Sequence, residues 1–217
     1  MKNVIITGST GMVGRNVLKF CLANSEVKTV TSISRRSTGI KNPRLVEVIH
    51  DNFLDFSKVE KHLHNQDVCF YCLGVYTSQV SREDFKKITV DFTRSFAEAL
   101  RRHNDNLTFC FLSGQGADSS EKSPIRFARE KGIAENIIIR LKFRETYIFR
   151  PAYIYPVTPR EEPNAMYKLT RMIYKPVSQI YKNFGVTSEQ LARKIVETGL
   201  NGGYKTIYFN EDIRKPL

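Results

Sequence analysis

Consecutive apolar runs of strand length alternate along the chain with longer stretches whose apolar positions recur every three or four residues. The runs predict strands at 4–7, 29–34, 45–49, 68–73, 108–113 and 146–151, with a last one at 204–209. Between them the spacing predicts helices at 13–23, 57–64, 82–102 and 125–141, and one more from Thr187 to near Gly199. Strands that read as unbroken apolar runs are buried on both faces, which requires helices on both sides of the sheet. The expected fold is therefore α/β: a Rossmann-type doubly wound, mostly parallel sheet.

Local punctuation supports these elements. Ser81-Arg82-Glu83-Asp84 offers a hydroxyl cap with an acid three residues on, and Thr187-Ser188-Glu189-Gln190 does the same with an amide. Ser123-Pro124 reads as a capping serine before a proline in the first helical position. Phe85, Ile88, Phe92, Phe96 and Ala99 make one apolar stripe expected to dock on the sheet. After Pro151 the alternation weakens. Pro156, Pro159 and Pro163 mark a loop, then Met166, Leu169, Ile173, Val177 and Ile180 form a stripe opposite Lys168, Arg171, Lys175 and Lys182, broken by Pro176. We expect one domain over 1–217, with 152–217 supplying a small C-terminal cap over a substrate cleft.

A chain of 217 residues suits one α/β domain, and 41% hydrophobic with 26% charged residues is ordinary for a globular protein. No apolar run is long enough to span a membrane. Only Val4-Ile5-Ile6 precede Gly8 as consecutive large apolar residues, so no signal peptide and a cytoplasmic location are expected. The net charge of +12 raises nucleic acid as a partner, yet the basic residues fall in dispersed pairs such as Arg35-Arg36, Lys86-Lys87 and Arg101-Arg102. No nucleic-acid partner is expected. Cys69 and Cys72 form a CxxC inside a strand, where residues three apart point to opposite faces and cannot share a disulfide or a metal. Cys21 and Cys110 also lie in apolar stretches, and no zinc set assembles with His50, His62, His64 or His103, so no metal is expected.

The chemistry sits at the first strand-turn-helix unit, where Gly8, Ser9, Thr10, Gly11, Met12, Val13 and Gly14 place three glycines in the spacing GxxGxxG. Such a turn lets backbone approach a pyrophosphate and aims helix amides at its oxygens. The residue ending the second strand meets the adenosine ribose, and here it is followed by arginine rather than an acid. Ser34, Arg35 and Arg36 suit a 2′-phosphate, so NADP(H) is expected over NAD(H). Asp51, Asn52 and Phe53 after the third strand are expected near the adenine, and Leu73, Gly74 and Val75 after the fourth under the ribose. Pro151, Ala152 and Tyr153 are expected beside the nicotinamide.

Given Asp67 to Gly74, Leu112 to Asp118, Lys131 to Glu135 and Phe149-Arg150-Pro151, the sequence resembles the atypical or extended branch of the short-chain dehydrogenase/reductase superfamily. Within it the likeness is to NmrA-like proteins and most of all to the Tat-interacting-protein subgroup of NADPH-binding oxidoreductases. The resemblance implies a serine after strand five, Ser113, and a helix lysine, Lys131, as candidate catalytic residues, with Lys131 also holding the nicotinamide ribose. Family chemistry uses YxxxK, in which tyrosine gives a proton to a carbonyl oxygen, the lysine lowers its pKa and the serine steadies the oxygen. This chain reads Phe127-Ala128-Arg129-Glu130-Lys131, with phenylalanine where the proton donor belongs. Two readings follow: an NADP(H)-binding protein with weak, rerouted or cofactor-sensing activity, or an active NADPH-dependent reductase or epimerase-like enzyme. The second would take its proton from water, Tyr76, Tyr153 or Tyr155. Beyond the nicotinamide dinucleotide, the expected partner is a small carbonyl or nucleotide-linked substrate, or another protein.

Overall fold

The computed structural model describes residues 1–157, 174 and 184–215. Strands β1 (Lys2–Thr7), β2 (Val27–Ser34), β3 (Leu45–Ile49), β4 (Val68–Tyr71), β5 (Thr108–Leu112) and β6 (Glu145–Phe149) form one parallel sheet, which a later short strand at Ile207–Tyr208 extends. The order is β3-β2-β1-β4-β5-β6 and then the late strand, so the chain reverses direction across the sheet between β1 and β4. That reversal opens the crevice at the carboxyl ends of β1 and β4 in which doubly wound sheets bind their ligands.

Alternation along each strand divides the core in two. Val4 and Ile6 face one layer with Val13, Val17 and Leu18 of helix α1 (Met12–Ala23), while Ile5 faces the other with Phe96 and Ile138. The CxxC obeys the same rule: Cys69 packs in the second layer and Cys72 against the first, and all four thiols are free.

Several expected elements change shape. The helix expected over 82–102 is α2 (Arg82–Lys86), a π turn (Lys87–Asp91) and α3 (Phe92–His103). The wider turn rotates the stripe, so Thr89, Val90 and Thr93 are buried where Ile88 and Phe92 stay half-buried. The helix expected over 57–64 is a 3₁₀ helix at Ser57–His62, closed by Val59 N–H to Phe56 and Leu63 N–H to Glu60. Phe53, Phe56, Phe92 and Phe96 fill the space a longer helix would cover. Helix α4 (Arg126–Arg140) starts two residues later than Ser123-Pro124 implied, with Ile125 as its N-cap. Ser123 is spent elsewhere: its amide donates to Asp118 and its hydroxyl accepts from Ile125 N–H. Ser81 and Thr187 do cap their helices, the latter with a full capping box.

Near the carboxyl end, β7 (Tyr153–Tyr155) and β8 (Gly185–Thr187) make a small second sheet, unexpected from the sequence. Helix α5 (Ser188–Asn201) packs on α1, and β9 (Ile207–Tyr208), shorter than the 204–209 expected, leads into α6 (Asn210–Arg214). The expected stripe from Met166 to Ile180, apart from Tyr174 between its members, lies outside the described residues. Among the described residues no helix is long and apolar enough to cross a membrane, and no three His, Cys, Asp or Glu gather as a metal site.

Candidate dinucleotide site

The turn from β1 into α1 is built around absent side chains. Gly8 sits at φ +72°, and a Cβ there would lie 2.5 Å from the Cys72 carbonyl carbon. A Cβ on Gly14 would lie 2.2 Å from the Gly8 carbonyl oxygen. Only glycine permits both approaches. Gly11 N–H donates to Gly8 O at 2.9 Å, fixing the turn, and Gly11 is the N-cap of α1 without a side-chain cap. No acid stands in that helix's first turn, so its amides and the positive end of its dipole face the crevice uncompensated. Gly74, across the crevice after β4, is exposed and has open space where a Cβ would be. A diphosphate fits this cradle.

The expected binding residues divide by what they touch. Ser9 is buried and shares a 2.6 Å hydrogen bond with Ser32, so it holds the turn rather than facing outward. Val13 is core, Met12 packs against the core, and Thr10 is half-buried at the turn. Ser34 is also buried, its hydroxyl donating to Arg36 O at 2.8 Å, which leaves Arg35 and Arg36 as the exposed cations. Neither guanidinium has an ion pair among the described residues. Asp51 and Asn52 are exposed, but the Phe53 side chain is buried among Phe56 and Phe92, so only its backbone borders the site. Leu73 packs on the second core layer and Val75 is half-buried. Pro151 is buried, Ala152 N–H donates to Asn210, and Tyr153 packs against Tyr174 and Phe184.

On α4, Phe127 and Lys131 lie one turn apart. Lys131 is buried, its Nζ donating to Leu112 O at 3.2 Å and lying 5.2 Å from the Phe111 ring centre. Burial pushes the Lys131 ammonium down to about 8, the nearby Glu135 carboxylate opposing the fall. Ser113 is buried. Its hydroxyl donates to the fully buried Glu135, which also takes the Arg150 guanidinium, with Nε 3.0 and 3.2 Å from the two carboxylate oxygens. Arg150 donates as well to Ser119 at 2.8 Å. The backbone position that faces the phenylalanine is Gly114, where a Cβ would lie 2.6 Å from Phe127 Cζ. The buried Glu135–Arg150 pair had no counterpart in the sequence reading; the i,i+4 spacing of Lys131 and Glu135 was its one visible trace.

The fold and this crevice define a dinucleotide-binding α/β protein of the extended short-chain dehydrogenase/reductase type. Residues 4–131 match the NAD dependent epimerase/dehydratase family, and the chain belongs to it. It is 29% identical over 153 residues to Protein FMP52, mitochondrial, of Candida albicans, and 30% identical over 156 residues to Protein HTATIP2 of Rattus norvegicus. These matches cover 69% and 70% of this chain but 66% and 63% of the relatives. Among solved structures, the Bordetella bronchiseptica enzyme WbmH in complex with NAD+ superposes with a TM-score of 0.72 at 18% identity, covering 96% of this chain and 75% of WbmH. UDP-glucuronic acid 4-epimerase from Bacillus cereus in complex with NAD gives 0.69 at 18% identity, over 95% and 77%. Those likenesses speak for the fold.

Proposed function

We propose that the chain is an NADP(H)-binding member of this family in which tyrosine-dependent proton transfer is lost, leaving slow oxidoreductase chemistry or a cofactor-sensing role. The observation that carries the reading is the Phe127 ring, one turn before Lys131 and set against Gly114, where it offers no proton. Ser113 adds to it, since its hydroxyl is committed to Glu135. The coenzyme, when bound, supplies a hydride. The chain's part is to grip the diphosphate at Gly8 to Gly14, to meet the 2′-phosphate with Arg35 and Arg36, and to hold the nicotinamide ribose with Lys131. A general acid contributes roughly 10²- to 10⁴-fold, so its absence leaves turnover slow by about that factor.

The test mixes protein, NADPH and a panel of aldehydes, ketones and quinones, following coenzyme oxidation in wild type and in Phe127→Tyr. We expect wild type near background and a gain of at least about tenfold in the variant, because a phenol one helical turn from Lys131 restores the donor. Equal robust turnover in both overturns this reading and favours the enzyme with another donor, Tyr76, Tyr153 or Tyr155. On location, the cytoplasmic expectation competes with a mitochondrial one suggested by the name of the Candida relative, and fractionation of the tagged chain decides.

A further inference from the structure

We propose that Glu47 is a positioning residue that sets the coenzyme's phosphate preference by holding the Arg35-Arg36 turn in a single shape. The inference rests on the phosphate reading above and concerns a residue of β3, the strand beside the one that the arginines follow. Glu47 lies in β3 at the sheet edge, level with Ser32 of β2. One carboxylate oxygen accepts the Thr38 backbone N–H at 2.7 Å and the other accepts the Ser37 hydroxyl at 2.8 Å. The turn is then tied further: Gly39 N–H donates to Ser37 Oγ at 3.0 Å and Ile40 N–H to Thr38 Oγ1 at 3.3 Å, while Ile40 packs on the core. On the near side Ser34 Oγ holds the Arg36 carbonyl. The two arginines are thus bracketed by fixed points, and their guanidinium groups stay exposed.

A carboxylate beside a phosphate site is ordinarily a deterrent, because like charges repel. Here both of its oxygens are occupied by the turn, and it forms no ion pair with either arginine among the described residues. The bonds from Thr38 and Ser37 also hold its carboxyl below the usual range, so the clamp is ionised at neutral pH. A turn already in its bound shape spares the ordering that a loose one undergoes on binding, and that saving goes only to the ligand group the turn touches. NADPH has that group and NADH lacks it.

Two roles for Glu47 predict opposite signs. If it acts only by charge, Glu47→Ala and Glu47→Gln both remove repulsion and both tighten NADPH. If it positions the turn, Glu47→Ala weakens NADPH, and Glu47→Gln, which keeps an acceptor oxygen for Thr38, recovers most of the loss. The experiment titrates NADPH and NADH by nucleotide fluorescence into the full chain, comparing wild type, both Glu47 variants and Arg35→Ala/Arg36→Ala, each checked for an unchanged melting profile. We expect tighter NADPH than NADH in wild type, and in Glu47→Ala a roughly tenfold rise in the NADPH Kd with NADH nearly unchanged. Tighter NADPH in both variants, equal weakening of both nucleotides, or no change in Glu47→Ala overturns the inference while wild-type preference stands. Absent preference in wild type, or an indifferent arginine variant, overturns the phosphate reading itself.

Discussion

At the scale of single residues, Lys131 is a buried amine one helical turn after Phe127. Its ammonium is 7% exposed, lies against Phe111 and donates to the Leu112 carbonyl. An unfolded lysine titrates near its ordinary value of about 10.4, whereas burial brings the folded group to about 8. Between those values the unfolded chain binds more protons than the folded one, so stability rises with pH through that window. Below pH 8 the full penalty for burying the charge is present. Lys131→Met removes it at every pH. We therefore expect the variant's advantage over wild type in urea denaturation to be largest at pH 7 and to shrink by up to about 3 kcal/mol by pH 10. A difference that stays flat with pH would mean that Lys131 carries no buried charge.

At the scale of elements, the Glu135–Arg150 pair joins α4 to the end of β6, directly before Pro151. Both side chains are nearly sealed from water, and Ser113 and Ser119 satisfy part of the remaining hydrogen-bonding capacity from the loop after β5. Removing one partner strands the other, so Glu135→Ala is expected to destabilise by about 3–5 kcal/mol in chemical denaturation. The double replacement Glu135→Leu/Arg150→Met is expected to restore at least half of that, since an apolar pair of similar volume avoids the desolvation of two charges. Additive losses in the double variant would contradict the coupling. Elements of this kind were poorly visible beforehand. Ser81 and Thr187 cap as read because a cap is written within four residues, whereas Ser123, which reads the same way, gives the N-cap to Ile125 and spends its hydroxyl on the Ile125 amide, inside a loop that Asp118 gathers. The π turn at Lys87–Asp91 likewise leaves no periodic mark, since Ile88 and Phe92 fit an unbroken helix equally well on paper.

At the scale of the whole molecule, the parallel sheet was legible because apolar runs such as Val4-Ile5-Ile6 must be covered on both faces, and the glycine turn because its three glycines lie within Gly8 to Gly14. The clamp of Glu47 on Ser37 and Thr38, and the bond from Ser113 to Glu135, were not, because each joins residues that only the folded sheet brings together. β7 and β8 are illegible for a similar reason: three-residue strands pairing across about thirty positions carry too little pattern. What the whole chain contributes to binding is charge. The chain carries a net +12 and a nicotinamide dinucleotide is a polyanion; under the reading proposed above, exposed Arg35 and Arg36 add to the field at the extra phosphate of NADPH. Binding to the folded chain alone adds about 2.7 kcal/mol of stability at a hundred times Kd, worth roughly 5–10 °C in melting temperature at this size. Salt screens that attraction, with a Debye length near 8 Å at physiological ionic strength. The NADPH Kd is therefore expected to climb more steeply with sodium chloride than the NADH Kd, because NADPH carries the additional phosphate charge. Parallel salt slopes would place that phosphate away from the arginines, and a melting temperature unmoved by either nucleotide at millimolar concentration would remove the dinucleotide site altogether.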